Sequence, residues 1–299
     1  MRIGALDIGG TNIKACLFED GAAGPLREAP TRAKEPGLLD RAAELLSALG
    51  DFDAIGVSTA GQVDPDTGVI RYANENIPGY TGTDVKGFFE SRFGKPTAVV
   101  NDVYAAALGE GTQGAAMGTP DYICLTYGTG IGGGVVLDGK PYYGRGASAG
   151  VMLGGLITHP EAVVAGDPFS GTYERYASTT ALIAGARQVD PAIENGRQLF
   201  ARQEDPALRQ VLDRWLEEVA AGICALVHCY NIPCVLLGGG IMEQPLVFAK
   251  AKNLAEERLI PGFRGVTIRQ AALGNMAGLY GAAQLAGKRS LLQRGYVSF

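Results

Sequence analysis

Apolar and polar positions alternate at the start of the chain in "RIGALDIGG" and again in "TNIKACLFED", after which a glycine-rich break runs from Gly21 to Pro25. The pattern predicts a strand, a Gly-Gly turn and a second strand. Helical spacing follows in "GLLDRAAELLSAL", then a buried strand in "DAIGVSTAG", a turn at "DPDTG", and "VIRYANENIPGY" as a strand running into a loop. "TDVKGFFESRF" predicts a helix, "PTAVVND" a strand ending at Asp102, and "VYAAALGEGTQGA" a helix with a glycine-rich exit.

The second half repeats the grammar of the first. "DYICLTYGTGIGGGVVLDGKPYY" reads as strand, glycine turn, strand and hairpin, and helices then dominate from "GTYERYASTTALIAGARQ" through "QLFARQEDPALRQVLDRWLEEVAAGICALVHCYN". The strand "PCVLLGGGI" ends in three more glycines, and the small-residue helix "GNMAGLYGAAQLAG" closes the pattern. Strands alternating with helices predict an α/β fold, and the repeated opening predicts two related lobes. A chain of 299 residues is long enough to give each lobe its own core.

Composition sharpens this picture in three places. The 44 glycines are roughly twice the usual share of about 7%, which directs attention to the turns. A net charge of -5 leaves no basic stripe for a nucleic-acid backbone, so no nucleic-acid partner is expected. No apolar run approaches the roughly 20 residues of a membrane span, and "MRIGALDIGGT" lacks the apolar region of a signal peptide, so a cytoplasmic protein without a membrane partner is expected. The five cysteines, Cys16, Cys124, Cys224, Cys229 and Cys234, form no CxxC pair and read as reduced core residues. The last three recur every five residues, which fits neither tetrahedral zinc spacing nor one helix face.

The glycine turns carry the candidate chemistry. "GTGIGG" from Gly128 to Gly133 matches the dinucleotide fingerprint G-x-G-x-x-G, but that turn must feed a helix, and here it feeds the β-branched strand "GGGVVLDGK". The phosphate loop G-x-x-x-x-G-K-[ST] fails too, because no Lys-Ser or Lys-Thr follows either turn. What remains is a tight turn between adjacent strands whose bare N–H groups form an anion-binding nest. Such a turn occurs twice, each with a threonine placed to add a hydroxyl donor, Thr11 and Thr129. The first also carries Asp7, a carboxylate suited to holding magnesium through water.

"DIGGTNIK", "VVNDVYAAALGE", "TYGTGIGGG" and "VLLGGGI", in that order, resemble the sugar-kinase branch of the actin-like ATPase superfamily, specifically the ROK family (repressor, open reading frame, kinase). The resemblance covers nearly the whole chain, and "ALGNMAGLYGAA" is similar to the family's closing helix. It implies a two-lobed actin-like ATPase (ribonuclease H-like) α/β fold with its active site in the interlobe cleft. Residues 1–115 would form the first lobe, joined by a closing helix at 283–299, and residues 116–282 the second. It also implies magnesium-ATP as cofactor, a homodimer, and phosphorylation of a hexose or hexoside at the 6-hydroxyl.

On this resemblance Asp102 matches the catalytic base, which accepts the proton of the attacking hydroxyl. Asn101 would orient a neighbouring hydroxyl, although an Asn-Asp pair before a helix also reads as an N-cap. Asp7 would serve magnesium, while Gly9, Gly10, Thr11, Lys14, Thr129 and Gly130 would meet phosphate. Lys14 also reads as an ordinary solvated lysine. Gly239 and Gly240 would let the nucleotide lie close to the backbone. Asn76 in "NENIPGY" resembles the sugar-facing loop, a stretch that a Pro-Gly turn explains equally well.

The chain departs from the family's commonest pattern where zinc-binding members carry AGExGH followed by C-x-C-G-x-x-G-C-x-E. "GTYERYAS" keeps Glu174 as a sugar-binding carboxylate and puts Thr172 where a zinc cysteine would stand, so no structural zinc is expected. The first sugar-binding glutamate is replaced by Val151 or Ser148, depending on the alignment, and His159 reads as a loop residue. Losing that glutamate removes an acceptor for hydroxyls near C1 and C2 and makes room for a substituent. A glucose or β-glucoside kinase is therefore the specific expectation. The alternative is a non-catalytic, sugar-binding regulatory protein of the same fold. Family repressors carry a helix-turn-helix ahead of the first phosphate motif, and with six residues before Asp7 that DNA-binding form is not expected.

Overall fold

The computed structural model describes residues 1–146 and 150–293. The elements are, in chain order, β1 (Arg2–Ile8), β2 (Asn12–Glu19), β3 (Ala22–Ala23), β4 (Arg27–Pro30), α1 (Leu38–Ser47), β5 (Ala54–Thr59), β6 (Gln62–Val63), β7 (Ile70–Tyr72), α2 (Val85–Phe93), β8 (Thr97–Asn101) and α3 (Asp102–Gln113). There follow β9 (Tyr122–Tyr127), β10 (Ile131–Leu137), β11 (Lys140–Pro141), α4 (Tyr173–Ala177), α5 (Thr179–Val189), α6 (Gly196–Ala201), α7 (Pro206–Tyr230), β12 (Cys234–Gly238), α8 (Pro245–Arg258), β13 (Thr267–Gln270) and α9 (Ala277–Gln293). The chain divides into two compact units, one of residues 1–120, 135–151 and 275–299 and one of residues 121–134 and 152–274. The sequence places 116–282 in one lobe; residues 116–120, 135–151 and 275–282 cluster instead with the first unit.

In the first unit β1 and β2 are antiparallel, β1 and β5 parallel, and β5 and β8 parallel, giving the order β3-β2-β1-β5-β8 with β4 also on β2. Because side chains alternate across a strand, each strand serves two layers. Leu6, Ile8, Ile55, Val57 and Val99 pack with Ala42, Leu46 and Phe89 from α1 and α2. Ile3, Ala5, Ala54 and Ala98 face Leu279, Ala283 and Ala286 of α9. By the same period Asp7 and Ser58 belong to the α9 layer. Helices α3 and α9 pack backbone to backbone, since a methyl group at Gly281 would collide with the carbonyl of Ala105.

In the second unit β12 pairs in parallel with both β9 and β13, in the order β9-β12-β13. The first four residues of β10 belong to this unit and the strand then runs on into residues of the first. Helix α7 is the long central helix, its start set by Asp205, which caps Ala207 N and Leu208 N, and by Pro206 at the first helical position. The helical stretch from Gly171 forms α4 and α5, separated at Ser178, whose hydroxyl accepts from Ala181 N as an N-cap and whose carbonyl accepts from Trp215 Nε1. Cys16, Cys124, Cys224 and Cys234 are buried, and Cys229 is exposed. No described helix is long and apolar enough to cross a membrane.

Candidate active site

In the first unit, the turn between β1 and β2 follows the pair Ile8–Ile13 and is closed by Gly9 N donating to Asn12 O at 3.1 Å. Thr31 clamps it from β4's end, its hydroxyl donating to Gly9 O at 2.6 Å and its N–H to Thr11 O at 2.8 Å. Gly10 and Thr11 stay exposed at the tip. Asn76, exposed in the turn 74–77, comes beside this tip, its Cβ 3.6 Å from where a Gly10 side chain would begin. Lys14 stands opposite Asp7 on β2, a strand flanked on both sides, and its charge pulls the Asp7 carboxyl's pKa down.

That pull is outweighed. Burial, the largest influence, raises the Asp7 pKa above the ordinary carboxylate value, while the hydroxyl of Ser58, donating to Oδ1 at 2.7 Å, opposes the rise. Among the described residues this is the one hydrogen bond made by the Asp7 side chain.

Asp102 is the first residue of α3, and the cap is its neighbour. Asn101 Oδ1 accepts from Val103 N at 3.0 Å and Tyr104 N at 3.4 Å, so the Asn-Asp pair does contain an N-cap, in Asn101. The Asn101 amide nitrogen donates to Gly61 O and to Asp102 Oδ1, each at 2.8 Å. The side chain predicted to orient a sugar hydroxyl is thus engaged within the protein, where it orients Asp102. Val103 N also donates to Asp102 Oδ1, at 2.9 Å. These bonds favour the charged form, yet burial and then the charge of Asp7 push the Asp102 pKa up to about 6. A partly buried carboxylate with that pKa is poised to take up a proton near neutrality.

In the second unit, the glycine turn is closed by Gly128 N on Gly130 O at 3.0 Å and tied to α5 by Thr179 N on Gly128 O at 2.9 Å. Thr129 is exposed at its tip. Gly239 meets this turn from β12: with φ +94 it occupies the left-handed region that disfavours side chains, and a methyl group would run into the carbonyl of Tyr127. Gly240 follows, exposed. The turn also has a carboxylate of its own. Glu174 Oε2 accepts from Ile131 N at 3.4 Å and lies 2.7 Å from the position a Gly130 Cβ would take.

The region lacking zinc cysteines is held by ordinary bonds. Ile157 bridges Thr172, Thr158 N and His159 N both donate to Gly171 O at 3.0 Å, and Thr172 Oγ1 donates to Phe169 O at 2.6 Å. The His159 ring stacks on Tyr176 at 3.6 Å with Nε2 3.5 Å from Glu218. Among the described residues no three His, Cys, Asp or Glu side chains form a metal-holding group. Val151, one of the two positions aligned with the missing glutamate, is tethered through its N–H to the Tyr104 hydroxyl at 3.1 Å, which itself donates to Tyr142 O at 2.7 Å. Ser148, the other, lies outside the described residues. Ser58, Thr31 and Tyr104 were not anticipated. Ser58 alone had a signal, as an inward position of a strand that ends level with the first glycine turn.

The model of the ROK family matches residues 3–289. A β-glucoside kinase of Listeria monocytogenes is 30% identical, the alignment covering 94% of this chain and 96% of that one. Among solved structures, a ROK hexokinase from Thermus thermophilus superposes with a TM-score of 0.84 at 31% identity, covering 97% of this chain and 99% of the other. A ROK glucokinase from Streptomyces griseus, crystallised with glucose and AMPPNP, gives a TM-score of 0.81 at 29% identity over 96% of this chain and all of that one, at 100%.

Proposed function

The chain belongs to the ROK family and has its actin-like α/β fold, and on that premise we propose that this ATP-dependent sugar kinase transfers a phosphoryl group to the 6-hydroxyl of a glucose unit, preferentially one already linked at C1. The observation that carries the reading is Asp102. It starts α3 without being spent as the cap, is held through one oxygen, and has its pKa raised to about 6 by burial and by Asp7. Such a carboxylate is charged at neutral pH and basic enough to accept the hydroxyl proton as the oxygen attacks phosphorus.

The other residues have supporting roles in the same reading. Asn101 holds Asp102 in register with the helix start. Gly9, Gly10, Thr11 and Lys14 meet phosphate, as do Thr129 and Gly130, and Gly239 with Gly240 gives the nucleoside a side-chain-free approach. Asn76 and Glu174 bind sugar hydroxyls. The donor set fits a magnesium ion held through water at Asp7, because that carboxylate is desolvated and carries one hydrogen bond while a second carboxylate lies close enough to raise its own pKa. When bound, the ion neutralises charge on the phosphates. The preference for a C1-linked glucose rests on Val151 or Ser148, neither a carboxylate, where a hydroxyl-binding carboxylate is expected, and on the likeness to a β-glucoside kinase. ATP as phosphoryl donor supports a cytoplasmic setting.

The test is a coupled ADP-release assay with magnesium-ATP against glucose, mannose, N-acetylmannosamine, fructose and cellobiose, with the product's phosphate position read by 31P NMR. Higher kcat/KM for cellobiose than for glucose, with a 6-phosphate product, is the expected result. Binding of a sugar by calorimetry with no ADP release would replace the kinase by a non-catalytic sugar sensor.

A further inference from the structure

Asp7, two residues before the first glycine turn, lies against two residues far from it in sequence, Ser58 and Gly278. Strands β1 and β5 are parallel with Asp7 opposite Ser58, so both side chains leave the same face of the sheet. Ser58 is fully buried and donates to Asp7 Oδ1 at 2.7 Å. Over this pair lies Gly278, in the first turn of α9. A methyl group at Gly278 would stand 3.0 Å from Ser58 Oγ and 3.3 Å from Asp7 Oδ1, tighter than side chains ordinarily pack.

We propose that Ser58 and Gly278 form a seat that fixes Asp7 in the one rotamer suited to a divalent cation. The hydroxyl engages Oδ1 and leaves the second oxygen for the cation's water shell, while the glycine lets α9 pass without displacing the carboxylate. The physical reason is pre-organisation. Magnesium demands near-octahedral geometry and gives up its water reluctantly, so a carboxylate that samples several rotamers binds its hydrated shell less well than one already held. Ser58 is a positioning residue here, acting through Asp7, and the inference rests on the reading of Asp7 as the magnesium carboxylate.

The experiment measures Mn2+ binding to the full chain with ADP present, from loss of the free-ion EPR signal, in the wild type and in Ser58→Ala, Gly278→Ala and Asp7→Asn. Ser58→Ala and Gly278→Ala should each weaken Mn2+ about tenfold, the scale of a lost hydrogen bond to a charged group. ADP affinity measured in EDTA should not change, which a general loosening of the fold would not spare. In turnover, Ser58→Ala should need more Mg2+ for half-maximal rate and recover kcat when Mg2+ saturates. If Asp7→Asn weakens Mn2+ binding but neither seat variant does, the inference is overturned on its own. If Asp7→Asn leaves Mn2+ binding unchanged, the cation reading of Asp7 fails and the seat falls with it.

Discussion

The glycine turn at Gly9–Thr11 follows Asp7, a buried carboxylate whose charge raises the pKa of Asp102, whereas the turn at Gly128–Gly130 already has a carboxylate, Glu174, bonded to the N–H that follows it. In sequence both turns join two strands and combine glycines with one threonine. Their surroundings differ because β1 and β5 bring acidic and hydroxyl side chains to the α9 face, while α4 presents Glu174 directly to the peptide of Ile131. A turn at which burial outweighs the pull of Lys14 on Asp7 calls for a cation. A turn whose N–H is already satisfied by a carboxylate needs none. The lesson is that a glycine turn specifies room for an anion, and the neighbouring strands and helices decide the charge balance.

Neutralising one carboxylate at each turn gives the largest contrast. Asp7→Asn removes the cation's carboxylate and should lower kcat on the order of 10² to 10³, the range for losing one preorganised electrostatic group. Glu174→Gln should leave kcat within about tenfold and act on the sugar KM, as expected for a binding group whose loss costs a hydrogen bond. Equal losses of kcat in steady-state assays of both variants would erase the distinction between the turns.

The pH dependence sharpens the same contrast. Asp102 must be charged to accept a proton, so kcat/KM should fall about tenfold per pH unit below about 6. Because the charge of Asp7 is the second cause of that raised value after burial, the acid limb should move to lower pH in Asp7→Asn and stay in place in Glu174→Gln. The smallest effect belongs to the exposed tip hydroxyls. Thr11→Ala and Thr129→Ala should each raise the KM for ATP by no more than about tenfold, since a single hydrogen bond is worth roughly 1 kcal/mol. Neither should change the melting temperature, because both side chains are exposed.

The strand–turn–strand units, the start of α3 and the end of β12 were legible because alternation, glycine and capping residues act within a few positions. Asp102 was legible for the same reason, as the residue at which an apolar run changes period. The position of Asn101 as the cap is also local, but which member of an Asn-Asp pair caps depends on where the strand lets go. Helix α8 was not predicted: its buried positions Val247, Ala251 and Ala255 are sparse and small, and the rest of the segment is polar. The break at Ser178 and the bonds around Thr172 depend on partners far along the chain, such as Trp215 and Ile157, which no local pattern announces. Ser58 was within reach, since the alternation that turns Asp7 toward α9 does the same for the middle of β5.

The central claim is that Asp102 is the base, and the most direct measurement is Asp102→Asn, with sugar-dependent ADP release, sugar affinity and thermal stability determined on the same protein. A raised carboxyl pKa means that the folded state is penalised once the group ionises, so stability is lost as pH rises through about 6, and an amide at this position removes that penalty. The account predicts turnover reduced on the order of 10³-fold, sugar affinity retained, and at pH 8 a melting temperature raised by a few degrees, corresponding to about 1–3 kcal/mol. Near-normal turnover in Asp102→Asn would contradict it.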